Sequence, residues 1–196
     1  EKLRFFFRNE FELNSKTLVL GMVGRFHPQK NHLGLLKALS IVKKSFDDFK
    51  FLLIGRDLNH DNLILDNEIK NQNLESNILL INQRSDMPAV MNALDINVLS
   101  SSSGEGFPNV LAEAMSCGTP CVTTNIGDAA LIVDYTGWVS PSNDSIALAN
   151  SIIEAIEERS RDEKSWLLRK QNCRDRIVQN FSLDKMIKNY HLVWGM

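Results

Sequence analysis

The chain has 196 residues, 43% of them hydrophobic and 23% charged, with a formal net charge of −2. That balance suits one large or two small soluble globular domains and excludes the basic stripe that nucleic-acid binding requires. No run approaches the roughly 18 apolar residues of a membrane span, and the opening Glu-Lys-Leu-Arg-Phe-Phe-Phe-Arg has no signal-peptide core.

Cys117, Cys121 and Cys173 are an odd number of cysteines in a chain too large to need staples, so they read as packing thiols in a reducing cytoplasm. The first residue is not Met, and the chain is expected to be a portion of something longer.

In chain order, residues 1–16 mix charges with Phe5, Phe6, Phe7 and Phe11 and fit neither a helix nor a strand. They read as an interdomain linker whose rings pack on the domain or on a neighbour. From residue 17 apolar runs alternate with helical periods. Strands are expected at 17–23, 50–54, 77–81, 95–99, 120–124 and 137–139.

Between them, Leu35, Leu39, Val42 and Phe46 recur at helical spacing, and a polar helix is expected over 61–71. Asp86 reads as the cap of a short helix holding Val90, Met91 and Leu94, with Pro88 in its first turn. Asn143 reads as the N-cap of a helix with Ile146, Ala149, Ile153 and Ile156 on one face, and 160–196 as two helices broken near Phe181. Strands that are apolar throughout imply a parallel sheet covered on both faces, and right-handed crossovers give a doubly wound, six-stranded, Rossmann-like α/β fold.

The sequence is organised around residues 100–118, Ser-Ser-Ser-Ser-Gly-Glu-Gly-Phe-Pro-Asn-Val-Leu-Ala-Glu-Ala-Met-Ser-Cys-Gly, which pass from a strand through a small-residue loop into a helix starting near 108 or 109. Ligands of open parallel sheets gather at such strand ends, where the first N–H groups of the next helix attract anions. Gly104 and Gly106 let backbone approach a ligand, and Glu105 and Glu113, seven residues between them, can face one cleft. A second signal, Gly21-Met-Val-Gly-Arg-Phe-His-Pro-Gln-Lys-Asn-His32, sets Arg25 and Lys30 at the end of the first strand, two cations suited to a diphosphate. His27 precedes Pro28 and His32 lies near a helix start; contact with phosphate is open to either, and solvent exposure is the reading preferred for both.

The words Glu-Gly-Phe-Pro-Asn-Val-Leu-Ala-Glu resemble the E-x7-E signature of the group 1 family of retaining, nucleotide-sugar-dependent glycosyltransferases of the GT-B fold. Val-Gly-Arg, followed by Lys30 at the start of the next helix, is similar to the same family's phosphate-binding segment. The resemblance implies the C-terminal, donor-binding half of such an enzyme: 1–16 the linker, 17–158 the nucleotide-sugar domain, and 159–196 helices crossing back to an N-terminal acceptor domain.

It also implies that Arg25 and Lys30 bind phosphate, that Glu105 meets donor-sugar hydroxyls, and that Glu113 holds the ribose. Gly24, Gly106, Phe107, Asn109, Val110 and Leu111 would line the donor through backbone, and Gln83 and Arg84 would border the base. The expected reaction is retaining transfer from a UDP-hexose to a glycan or lipid-linked acceptor, with peripheral membrane contact arising only through the other domain.

No Asp-x-Asp pair is present, so no metal or other cofactor is expected. One departure is Ile126-Gly-Asp-Ala-Ala, where the family often carries Gly-Gly-x-x-Glu. Two alternatives stand beside the transferase reading, an epimerase of the same architecture and a non-catalytic binding module.

Overall fold

A computed structural model describes residues 2–195. Six parallel strands, β1 (Val19–Val23), β2 (Lys50–Ile54), β3 (Ile78–Ile81), β4 (Ile96–Leu99), β5 (Cys121–Thr124) and β6 (Trp138–Ser140), form one sheet in the order β3-β2-β1-β4-β5-β6. The order reverses between β1 and β4, which makes their carboxyl ends the switch point where a crevice opens. β4 and β5 are buried at every position because helices cover both faces. The doubly wound, Rossmann-like class expected from the sequence is therefore the observed one.

On one face α2 (His32–Ser45) and α7 (Ser145–Arg161) pack against each other and the sheet, burying Leu35, Leu39, Val42, Leu148, Ile152 and Ile156. On the other lie α4 (Met87–Ala93), α5 (Asn109–Ser116), α6 (Ala129–Val133) and α8 (Glu163–Asn180), around a core that includes Val90, Leu111, Met115, Ile132, Cys173 and Ile177. The polar helix α3 (Leu63–Asn71) buries only Leu65 and Ile69. Helix α9 (Leu183–Trp194) buries no residue, and leaves Met186, Ile187, Tyr190, Val193 and Trp194 exposed. Among the described residues no helix is long and apolar enough to cross a membrane.

Several local expectations are corrected. The N-cap of α7 is Asp144, whose carboxylate accepts from Ile146 and Ala147 N–H, while Asn143 takes φ +58° in the preceding turn. Asp86 stands at the N-cap position of α4 but makes no side-chain cap bond; it holds Arg84 instead, at 2.8 Å to both Nε and Nη2.

Residues 1–16 also differ from the reading as neither helix nor strand, since α1 (Lys2–Glu10) is helical. Its inward stripe is Arg4, Phe7 and Arg8, and the arginines hide the apolar period. Phe7 enters the core, whereas Phe5 and Phe6 stay exposed.

What fixes α1 is a carboxylate at the amino end of β4. Asp95 has a side chain only 6% exposed and receives Arg4 at 2.7 Å, Arg8 at 3.0 Å and Arg159 of α7 at 3.4 Å. Val19 N–H donates to it at 2.9 Å. The remaining guanidinium N–H groups reach carbonyls at the end of α4 and of Asn14 and Thr17. Burial alone would push the Asp95 carboxyl up, but the arginines outweigh it and its pKa lies below the ordinary value. Burial depresses Arg8 more than Asp95 raises it, yet an arginine stays cationic at neutral pH.

Candidate active site

The site is built at the carboxyl edge of the sheet, opposite Asp95. β1 ends at Val23, and Gly24 N–H donates to Ile54 O at 2.9 Å while Phe26 N–H donates to Arg56 O at 2.9 Å. This close seating needs Gly55, which has φ +154° and where a Cβ would stand 2.3 Å from Gly24 O. A single 3-10 turn, Pro28–Lys30, follows, with His27 Nδ1 accepting from Gln29 N–H. Asn31, in the left-handed region, closes that turn and caps α2, so Lys30 lies two residues before the helix rather than at its start.

From this turn Lys30 runs its stem over Gly24 and brings Nζ to 2.6 Å from Glu105 Oε1. Ser101 Oγ donates to the same oxygen at 2.6 Å. The two loops are also tied by backbone: Ser102 N–H to Gln29 O at 2.8 Å, Gln29 Nε2 to Gly104 O at 2.9 Å, and Ser100 Oγ to Lys30 O at 2.8 Å. Burial would raise the Glu105 carboxyl, but Lys30 and Ser101 together hold it below the ordinary carboxylate range. Glu105 is thus an anion at neutral pH, matched to a lysine from the neighbouring strand's loop.

A third loop supports the same place. Asp128 N–H donates to Gly106 O at 2.9 Å, and Gly127, at φ +56°, sits so close that a Cβ there would meet Glu105 O at 2.2 Å. On its other side Gly106 faces open space, with nothing within 4 Å of where its Cβ would be. The segment that departs from the family pattern therefore backs the loop carrying Glu105.

At the start of α5, Phe107 is 40% exposed and its ring lies 5.5 Å from that of Phe181. The N–H groups of Asn109 and Val110 belong to the first turn of α5, where helix geometry leaves them without intrahelical partners. Leu111 departs from the expected set: its N–H already donates to Pro108 O at 3.0 Å and its side chain is fully buried, so it belongs to the core.

Around this centre lie adjoining hollows rather than one. The first, of about 360 Å³, is lined by Gly24, Arg25, Arg56, Gln83, Arg84 and Met87 among others. The second, of about 420 Å³, includes Met87, Phe107, Asn109, Glu113 and Phe181. Met87 is the wall they share. A third, of about 560 Å³, runs from Phe107 and Asn109 to the exposed face of α9 at Met186, Tyr190 and Trp194. Glu113 is exposed on α5, one turn along from Asn109.

Three arginines line the first hollow, in different states. Arg84 is committed: Glu10 and Asp86 accept from it at 3.0 and 2.8 Å, and its guanidinium lies 5.2 Å from the Phe7 ring and 5.7 Å from that of Phe11. Those hydrogen bonds raise its pKa further. Arg25 and Arg56 are exposed, and among the described residues neither has a side-chain hydrogen bond or ion pair. Two unpaired guanidiniums on one concave surface give it a positive potential that favours an anionic ligand.

The sequence carries no signal for Arg56, and it marks Ser100 to Ser103 only as part of a small-residue loop. Contrary to its expected solvent exposure, His32 is 1% exposed, packed 5.3 Å from the Phe26 ring, with neither ring nitrogen bonded. Burial, then the Lys30 charge, lowers its pKa to about 4, so the ring is neutral. Among the described residues no group of three or more His, Cys, Asp or Glu side chains is arranged to hold a metal ion.

The switch point of this parallel sheet presents cations, an ionised glutamate and a helix start, an arrangement suited to an anionic ligand. Comparison with known proteins agrees: residues 4–171 match the family described as glycosyl transferases group 1, and the chain belongs to that family. It is 31% identical over 179 residues to the UDP-Gal:alpha-D-GlcNAc-diphosphoundecaprenol alpha-1,3-galactosyltransferase of Escherichia coli, covering 89% of this chain and 44% of that one.

Among solved structures, a glycosyltransferase from Rickettsia africae superposes with TM-score 0.86 at 23% identity, over 98% of this chain and 51% of its own. Anabaena HepE in complex with UDP-glucose gives 0.83 at 24%, over 99% and 52%. The chain thus spans about half the length of the relatives it matches, and its fold is that of a Rossmann-like unit of GT-B glycosyltransferases.

Proposed function

We propose that this chain is the donor-binding, C-terminal half of a retaining glycosyltransferase, and that it holds a UDP-hexose for transfer to a glycan or lipid-linked acceptor. The observation carrying this reading is the Lys30–Glu105 pair, joined at 2.6 Å across the β1 and β4 loops at the switch point. Arg25, Lys30 and the N–H groups of Gly106, Phe107, Asn109 and Val110 would bind the diphosphate, Glu113 the ribose, and Glu105 hydroxyls of the sugar.

Transfer breaks the bond from anomeric carbon to diphosphate oxygen and makes one to an acceptor oxygen. Negative charge then grows on the leaving diphosphate, where the cations and the α5 end already stand. These groups supply the positive charge that a metal would otherwise bring, so binding is expected to be indifferent to chelator. The E. coli relative's name gives UDP-Gal as its donor, which supports a UDP sugar here.

The exposed apolar face of α9, together with Leu3, Phe5 and Phe6 of α1, offers the surface on which an acceptor domain would sit. Without that domain the chain binds donor but does not turn over. Calorimetry with UDP-, GDP- and ADP-sugars, with and without EDTA, tests the reading. The expected result is saturable binding of a UDP sugar alone, unchanged by EDTA, and no epimerised sugar on incubation. Failure of all the sugar nucleotides to bind would overturn it.

A further inference from the structure

Granted the donor reading of this site, on which the proposal below rests, the Lys30–Glu105 pair poses a charge problem. Lys30 and Glu105 are tightly held, with side chains 18% and 9% exposed. Ser101 fixes the same carboxylate oxygen, and Gly127 and Asp128 back the loop from behind. Glu105 therefore has little freedom to swing away when a ligand arrives. Any phosphate oxygen that binds Lys30 must share one ammonium with a carboxylate, two anions bridged by a single cation.

In a sugar nucleotide each phosphate carries one negative charge, because both are esterified. Once the sugar has left, the terminal phosphate keeps only its anhydride link and, like other singly substituted phosphates, carries about 1.5 to 2 charges at neutral pH. The added charge falls on the side where the sugar was, beside Glu105. We propose that Glu105 discriminates between sugar-bearing and bare nucleoside diphosphate: it holds the donor through the sugar and weakens the product through like-charge repulsion. The residue thereby promotes product release at the step after transfer.

The test compares UDP and UDP-glucose affinities of the wild-type chain and Glu105→Gln by calorimetry. Gln keeps the shape and removes the charge. UDP should bind Glu105→Gln about three- to thirtyfold more tightly than wild type, the range expected for one added charge near a carboxylate in a partly screened site. UDP-glucose should bind it more weakly or unchanged.

If wild type binds UDP-glucose but Glu105→Gln leaves UDP affinity unchanged or weakens it, the discrimination is wrong and the donor reading survives. If wild type binds neither ligand, the donor reading fails and takes this proposal with it. Should Glu105→Gln lose its cooperative melting transition, Glu105→Ala and Glu105→Ser carry the same comparison.

Discussion

Replacing Arg25 or Lys30 by alanine in the longer protein is expected to lower kcat/KM for transfer by about a hundredfold each, the cost of about 3 kcal/mol for one lost donor to a developing oxyanion. The two substitutions should differ in kind. Arg25 is exposed and unpaired, so its loss should remove the proposed phosphate contact and leave the fold untouched. Lys30 also neutralises Glu105, so its loss strands a carboxylate that is 9% exposed.

The pH dependence separates them. With Lys30 present, Glu105 titrates below its ordinary range, and whatever depends on its charge is lost only as pH falls through that depressed value. In Lys30→Ala the opposing effect of burial is no longer outweighed, so the same loss should occur at higher pH. Rates measured from pH 5 to 8 for both variants check this; identical profiles would contradict the pairing.

Asp95→Ala is expected to lower folding stability by about 3–5 kcal/mol, because it leaves the buried Arg8, and the partly exposed Arg4 and Arg159, without their counter-charge. That is a large share of the roughly 5–15 kcal/mol of a whole domain, and corresponds to a fall of about 10 °C in melting temperature for a chain of this size. Arg4 and Arg8 would lose their anchor, so α1 should detach early, visible as fast amide exchange over residues 2–10.

The acid limb of stability follows the same residue. A carboxyl depressed in the folded state stabilises above its unfolded value, near pH 4, and that contribution disappears as pH falls through the folded value. Asp95→Asn should therefore flatten the loss of stability below about pH 4, as followed by urea unfolding. A steep acid limb retained in that variant would assign it to other carboxylates.

How much of this was legible in the sequence depended on the range of the interaction. The strands were readable because a parallel sheet covered on both faces demands apolar residues throughout, and β2 begins and ends where the run 50–54 does. The meeting of Lys30 with Glu105 was readable through topology, since each follows a strand and those strands become neighbours at the switch point.

Helix α1 was not readable, because its inward face carries Arg4 and Arg8, whose partner Asp95 lies 91 and 87 residues away. The same holds for Arg84, whose guanidinium is drawn to Glu10, 74 residues distant, rather than left open in the hollow it shares with Arg25 and Arg56. His32 reads as exposed because a helix start does not reveal which side faces inward; in the fold its ring turns inward against Phe26. The family resemblance puts Leu111 with the ligand amides, and it does not reveal that Pro108 O takes the Leu111 N–H.

Amide chemical-shift mapping of the isotope-labelled chain titrated with UDP-glucose locates the donor. Perturbations should centre on Gly24, Arg25, Lys30, Glu105, Gly106, Phe107, Asn109 and Val110, all at the carboxyl edge between β1 and β4, with Asp95 and its arginines unmoved. Saturable shifts confined to the α2–α3 surface near Lys43 and Asn73, or to the amino edge around Asp95, would place the nucleotide elsewhere and contradict the assignment of this site.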